Sequence, residues 1–237
     1  TFGRGKWFDV SDNFGDTDKQ DVQFLRNKLT EDFENCMVRK SVAECLINAA
    51  VYGVGIGEIV LEDVKEMSPA TQPLMDGQLT AVGVNVTDRT VVKLRPILPQ
   101  NFLIEPVATS VEDAVGVAID EFVSRYAVER LQEEGVYRNV DVGTAPPDDS
   151  LEPTDDDLVV YADEKVRLTK YYGKVPRYLL ENEVESLEEK TEYVEAIVVL
   201  GNGVLLKAEA NPYMMQDRPV VAFPWDVVPG RFWGRGV

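Results

Sequence analysis

Carboxylates are the side chains of this sequence with the widest scope for chemistry. Asp148, Asp149 and Asp155-Asp156-Asp157 form one cluster, and Asp12, Asp16, Asp18 and Asp21 form another. Oxygen clusters of this kind ligate Mg2+ or Ca2+, so a metal-dependent hydrolase is the enzymatic alternative they offer. The spacing disfavours it. The first cluster lacks the D-x-D-x-D-G-x5-E order of a calcium loop, and consecutive carboxylates on an extended chain point to alternate sides. A solvated acidic loop is the reading taken. Asp18 and Asp21 suit a first helical turn, where carboxylates meet unpaired backbone N–H groups. No carboxylate pair is singled out for general acid–base work. Histidine is absent, which removes Ser-His-Asp and Cys-His catalysis and most zinc sites. The chain is therefore read as a non-enzyme, with no catalytic, metal-binding or cofactor-binding residue and no cofactor.

Two further segments invite a functional reading. Gly53-Val54-Gly55-Ile56-Gly57 suggests a phosphate loop, but a dinucleotide fingerprint needs G-x-G-x-x-G between a strand and a following helix. Glu58 stands at the third glycine position, and here a helix precedes a strand. Gly53, Gly55 and Gly57 are taken as a packed helix-to-strand turn. The stretch Asp217 to Val237 differs in composition from the rest, with three arginines, two aspartates and two tryptophans. Basic and aromatic residues together bind single-stranded nucleic acid by stacking, so a single-strand-binding module centred on Arg231, Phe232 and Trp233 is a second alternative. The preferred reading is a buried strand followed by a turn at Pro229 and Gly230, with Arg231, Phe232, Trp233 and Arg235 at an interface or junction.

The elements that must position these residues follow from periodicity. A long helical region is expected from about Asp18 to Tyr52, with Val22, Leu25, Leu29, Phe33, Cys36 and Met37 on one face. Its later part, Val42 to Val51, is apolar nearly all round and is expected to be deeply buried, with Gly53 as its stop. Cys36 and Cys45, if on one helix, lie on opposite faces and roughly 13 Å apart along the axis, so two reduced thiols are expected. Ile56, Ile59, Val60 and Leu61 read as a strand. Segments 78–86 and 90–98 alternate as strands about a turn at Thr87-Asp88-Arg89-Thr90, and a bend at Pro99 follows. Residues 114–123 form a strand, and a short helix through Val128 and Leu131 ends at Gly135. A mobile acidic linker is expected at about 138–157. Strands return at 158–172, 193–200, 204–209 (after a Gly201-Asn202-Gly203 hairpin turn) and Val220 to Phe223. This is an α+β order, helices first and mainly antiparallel strands after.

The 237 residues are 44% hydrophobic and 28% charged, enough for a globular core. The net charge of -18 excludes a domain that grips a phosphate backbone by neutralising it; any dealing with DNA must be passage rather than capture. No signal peptide and no membrane segment are expected. The start at Thr1 and the stop after Arg235-Gly236-Val237 read as a piece of a longer protein.

Three stretches resemble one family. Arg218 to Trp225, then Pro229 to Gly236, is similar to the portal-protein stretch in which a strand RPFVVFPW leads through PGSFWGRG. Leu94-Arg95-Pro96-Ile97-Leu98-Pro99-Gln100-Asn101-Phe102-Leu103-Ile104-Glu105-Pro106, followed by Ala108 and Glu112-Asp113-Ala114, resembles the P-x-x-F-x-x-D-P-x-A turn of that family, with Glu105 departing from the expected Asp. The helix running into Val51-Tyr52-Gly53-Val54-Gly55-Ile56-Gly57 is similar to the helix-to-strand passage of the portal wing. The resemblance to tailed-bacteriophage portal proteins implies a single wing-type region over residues 1–237, without stem, clip or crown. It further implies a ring, usually of about twelve subunits, at the capsid vertex of the virion, assembled in the host cytoplasm. Implied partners are further copies of the chain, the terminase large subunit, the major capsid and scaffolding proteins, head–tail adaptors, and double-stranded DNA passing through the channel.

Overall fold

The computed structural model describes residues 10, 19–73, 79–143, 165–180 and 192–237. Asp12, Asp16, Asp18 and the carboxylates from Asp148 to Asp157 lie outside the described residues, as does most of the expected linker. The fold is α+β. The chain divides into two compact units: residues 1–47 with 57–96, and residues 48–56 with 97–237.

Helix α1 (Lys19–Asn35) lies in the first unit and is followed by α2 (Val38–Tyr52), whose residues from Asn48 on belong to the second. The helical stretch is therefore two helices rather than one. Met37 takes a positive φ of 51° between them, and the amides of Lys40 and Ser41 start the second helix on its carbonyl. Cys36 falls at this break and Cys45 on α2, and both thiols are free. The expectation that Val42 to Val51 is deeply buried is not met. Only Cys45 and Ala49 are buried there, while Ile47 is 62% and Val51 60% exposed. A helix that is apolar all round needs cover on every side, and Ile47 and Val51 stay exposed among the described residues.

After Gly53 come strands β1 (Val54–Pro73) and β2 (Leu79–Ile97), joined through residues 74–78. They are sheet neighbours, and twenty residues at about 3.4 Å each give a ribbon of roughly 65 Å if straight. The expected turn at Thr87-Asp88-Arg89-Thr90 is overturned, because these residues run through the middle of β2. Their side chains leave a pleated strand in alternate directions. Arg89 pairs with Asp32 of α1, and the Thr90 hydroxyl donates to Asp63 across the ribbon at 2.7 Å. The polar run reflects a strand wet on both faces, with no glycine or proline to turn it.

The second unit holds a five-stranded antiparallel sheet in the order β3 (Phe102–Ile104), β4 (Gly116–Ser124), β5 (Lys165–Pro176), β6 (Tyr193–Gly201) and β7 (Val204–Ala210). Helix α3 (Arg125–Glu133) links β4 to β5, capped by Ser124, whose hydroxyl accepts from the Ala127 amide. Strand β8 (Val220–Pro224) flanks the start of β1. One core gathers Val54, Ile56, Ile97, Phe102, Val117, Ile119, Val220 and Phe232, and a second gathers Val128, Val142, Val166, Leu168, Val199 and Leu206.

One buried and one half-buried acid predict the alkaline limit of the fold. Burial, and then the charge of Glu44, raises the Cys45 thiol above its ordinary 9.0. Burial also raises the Tyr171 phenol above 10.0, against the pull of Arg218 and with help from Glu195 and Glu105. Each group keeps its proton in the fold at pH values where the unfolded chain has lost it. Stability is thus complete below the ordinary values and falls as pH rises through the raised ones. Urea midpoints are expected to hold level up to about pH 9 and then to fall, less steeply in Cys45→Ala; a level midpoint to about pH 11 contradicts this assignment.

Candidate functional site

The three segments of distinctive sequence meet in the second unit. Helix α2 ends where the Gly53 amide donates to the Ala49 carbonyl at 2.9 Å, and Gly53 turns left-handed with φ 88°. The Trp225 amide, just past β8, donates to the Gly53 carbonyl at 2.9 Å. The chain then makes a tight excursion. Arg231 donates its amide to the Val228 carbonyl at 3.1 Å across Pro229-Gly230, and Gly230 has φ 75°. Proline second and a positive-φ glycine third is the residue pattern of a type II turn. The return strand pairs Arg235 with Asp226 and lays Gly234 on Gly53. A Cβ on Gly53 would overlap the Gly234 carbonyl, and one on Gly234 would stand 2.5 Å from the Gly53 oxygen. Only two bare backbones pass that closely. Finally the Val237 amide donates to the Ala50 carbonyl at 2.7 Å, meeting an acceptor in the last turn of the helix.

Phe232 is the anchor of this excursion. It is 7% exposed, stacks on Phe102 with ring centroids 5.7 Å apart, and meets Trp233 edge-on at 5.1 Å. Phe102 follows the short 3-10 turn opened by the buried Pro99. A helix end, the Pro99 bend and the terminal hairpin thus share one core.

The second tie is Arg218, whose side chain is 7% exposed. Its guanidinium donates to the carbonyls of Val111 at 2.5 Å, Ala114 at 2.8 Å and Val115 at 3.1 Å. It also grips Glu195 of β6 through both carboxylate oxygens, at 2.9 and 3.3 Å. A planar fork with five donors fits that set, and an ammonium does not. Through these bonds Arg218 ties the Ser110–Val115 loop, which leads into β4, to β6 and to the start of β8.

No protein-family model matches the chain, and no curated protein matches it in sequence.

The expected site residues fall into two groups. Gly53, Gly55 and Pro99 are buried within the junction, Gly234 completes it, and Pro229 and Gly230 form its exposed turn. Gly57 belongs to the first unit, where a Cβ would come within 2.8 Å of Leu94 and 3.4 Å of the Cys45 sulfur. Of the four residues placed at an interface, Phe232 is buried and its ring is occupied by Phe102, so it offers no face to a nucleobase. Arg231, Trp233 and Arg235 lie exposed on the rim. The roles of Arg218, Glu195 and Phe102 were missed, although an arginine set immediately before the apolar run Pro219 to Phe223 was a visible signal. Among the described residues, no group of three or more carboxylates or thiols is placed to hold a metal ion, and no helix is long and apolar enough to cross a membrane.

Proposed function

We propose that this chain is a structural subunit of a tailed-bacteriophage portal ring, acting through packing and making or breaking no bond. The observation that carries the reading is the convergence of its three portal-like segments, far apart in sequence, on one core around Gly53, Phe102 and Phe232, with Arg218 fastening the Ser110–Val115 loop. Tight packing of this kind within the second unit suits a collar at a capsid vertex, which must hold its shape. In this reading the terminase large subunit supplies the energy of packaging. Head–tail adaptors and the capsid and scaffolding proteins dock on the collar, and an acidic chain lets DNA pass without capturing it.

The burial pattern of the first unit supports an assembling protein. Among its described residues only Val38, Cys45, Gly57 and Glu58 are buried. Helix α1 buries no residue, and its Phe24 is 72% exposed. Beyond Glu58 and before Ile97 the described residues of the ribbon β1–β2 are similarly bare. The Asp63–Thr90 hydrogen bond identifies one face, and strand alternation places Leu61, Met67, Val84, Val86 and Val92 on it; all five are exposed. The opposite face carries the Glu62–Lys93 ion pair at 2.5 Å and the Glu58–Arg95 pair. Two-stranded ribbons are marginal alone in water, and an apolar face of this kind marks contact with another molecule. Leu61→Glu together with Val86→Glu removes no buried group from the subunit. In the intact protein these changes are expected to lower the assembled mass, by light scattering, toward that of one subunit, with circular dichroism unchanged. An unaltered assembly would count against this face as a subunit contact.

A further inference from the structure

The turn between β6 and β7 is Asn202-Gly203, set between the opposed pair Gly201 and Val204. Both residues have positive φ, 48° and 84°, as a type I′ hairpin turn requires. This turn holds more than its own hairpin. The Asn202 side-chain amide donates through Nδ2 to the Val142 carbonyl at 3.0 Å and the Gly143 carbonyl at 3.4 Å. Its Oδ1 accepts from the Arg167 amide at 2.9 Å. Every partner is a backbone group of fixed donor or acceptor character, so the orientation of the carboxamide is determined.

Among the described residues, the segment it fastens has no strand partner. Residues 138–143 are held by the Arg138 amide on the Leu206 carbonyl at 2.8 Å, and by the Gln132 side-chain amide on the carbonyls of Arg138 at 2.9 Å and Val140 at 2.8 Å. Val142 is buried in the second core with Val166 and Leu206. Two side-chain carboxamides, from Gln132 and Asn202, thus replace the ladder that a paired strand would have.

Asparagine followed by glycine is also the sequence most open to spontaneous deamidation, because glycine leaves its own nitrogen unshielded. In that reaction the Gly203 nitrogen attacks Cγ of Asn202. Its proton passes to the departing amide nitrogen, ammonia leaves, and water opens the resulting succinimide to aspartate or isoaspartate. Attack requires the carboxamide to swing onto the Gly203 nitrogen, and three hydrogen bonds hold it on Val142, Gly143 and Arg167 instead. We propose that Asn202-Gly203 is a modification site shielded by the fold, and that its conversion to aspartate unfastens residues 138–143. The conversion replaces the Nδ2 donor with a carboxylate oxygen facing two carbonyl oxygens, so attraction becomes repulsion.

Two measurements test this. The chain is held at about pH 8 with and without urea, and the peptide containing Asn202 is weighed by mass spectrometry. Deamidation is expected to be at least about tenfold slower in the fold, the factor that loss of roughly one hydrogen bond's worth of restraint would erase; equal rates overturn the shielding. In Asn202→Asp, which keeps a residue tolerant of positive φ, the Arg138 amide is expected to exchange its hydrogen about tenfold faster or more, while amides of β4 remain protected. Exchange at Arg138 equal to that of the unaltered chain overturns the fastening role.

Discussion

Replacing Arg218 with methionine is expected to lower the unfolding free energy by about 3–5 kcal/mol, the usual cost of removing one partner from a buried charge pair. Methionine fills much of the same volume, so the loss is electrostatic rather than a cavity. It leaves the Glu195 carboxylate, 14% exposed, without its cation. It also leaves the carbonyls of Val111, Ala114 and Val115 without the donor that now reaches all three. Arg218→Lys keeps the charge but cannot span three carbonyls and a carboxylate together, and it is expected to fall between the two. Because domains of this size are stable by only about 5–15 kcal/mol, the methionine variant is expected to show a sharply lower urea midpoint. Replacing both members, with Glu195→Leu added, should recover part of the loss, since the orphaned charge is then gone. A methionine variant within about 0.5 kcal/mol of the parent would show that the clamp carries no weight.

Phe232→Ala is the second large effect, expected at about 3–5 kcal/mol, the range for deleting a buried aromatic side chain. The vacated space lies between Phe102, Trp233 and the start of β1, so three chain segments lose a shared surface at once. The backbone contacts of Gly53 with Gly234 leave little freedom for the walls to close in. Trp233 meets Phe232 edge-on, and its fluorescence is expected to change with the substitution. Phe232→Leu restores most of the apolar volume and should cost under half as much. Equal stability of the alanine variant and the parent would contradict the placement of the terminal hairpin in the core.

Where local sequence decided the structure, it could be read directly. Asn202-Gly203 between two alternating runs fixed a hairpin, and Ser124 before Val128 and Leu131 with Gly135 after them fixed a short helix. Pro229-Gly230 marked a turn because only a few residues accept its dihedrals. The long ribbon was misread for a related reason. Asp76-Gly77, in the connection outside the described residues, is the dipeptide that hairpin turns favour, yet the polar run at Thr87 to Thr90 drew the turn instead. The burial of α2 was misjudged because an apolar helix declares that it will be covered and not by what; Ile47 and Val51 face outward in the single chain. Arg218 was legible only as an odd charge, since its four partners, Val111, Ala114, Val115 and Glu195, lie more than twenty positions away.

The central claim is that this chain builds a ring. The direct measurement is the native mass of the intact protein that carries it, by light scattering, together with negative-stain images of the same sample. A mass of about twelve subunits and rings with a central hole are the predicted result. A monomer or dimer from the intact protein, with no annular particles, would contradict the portal reading.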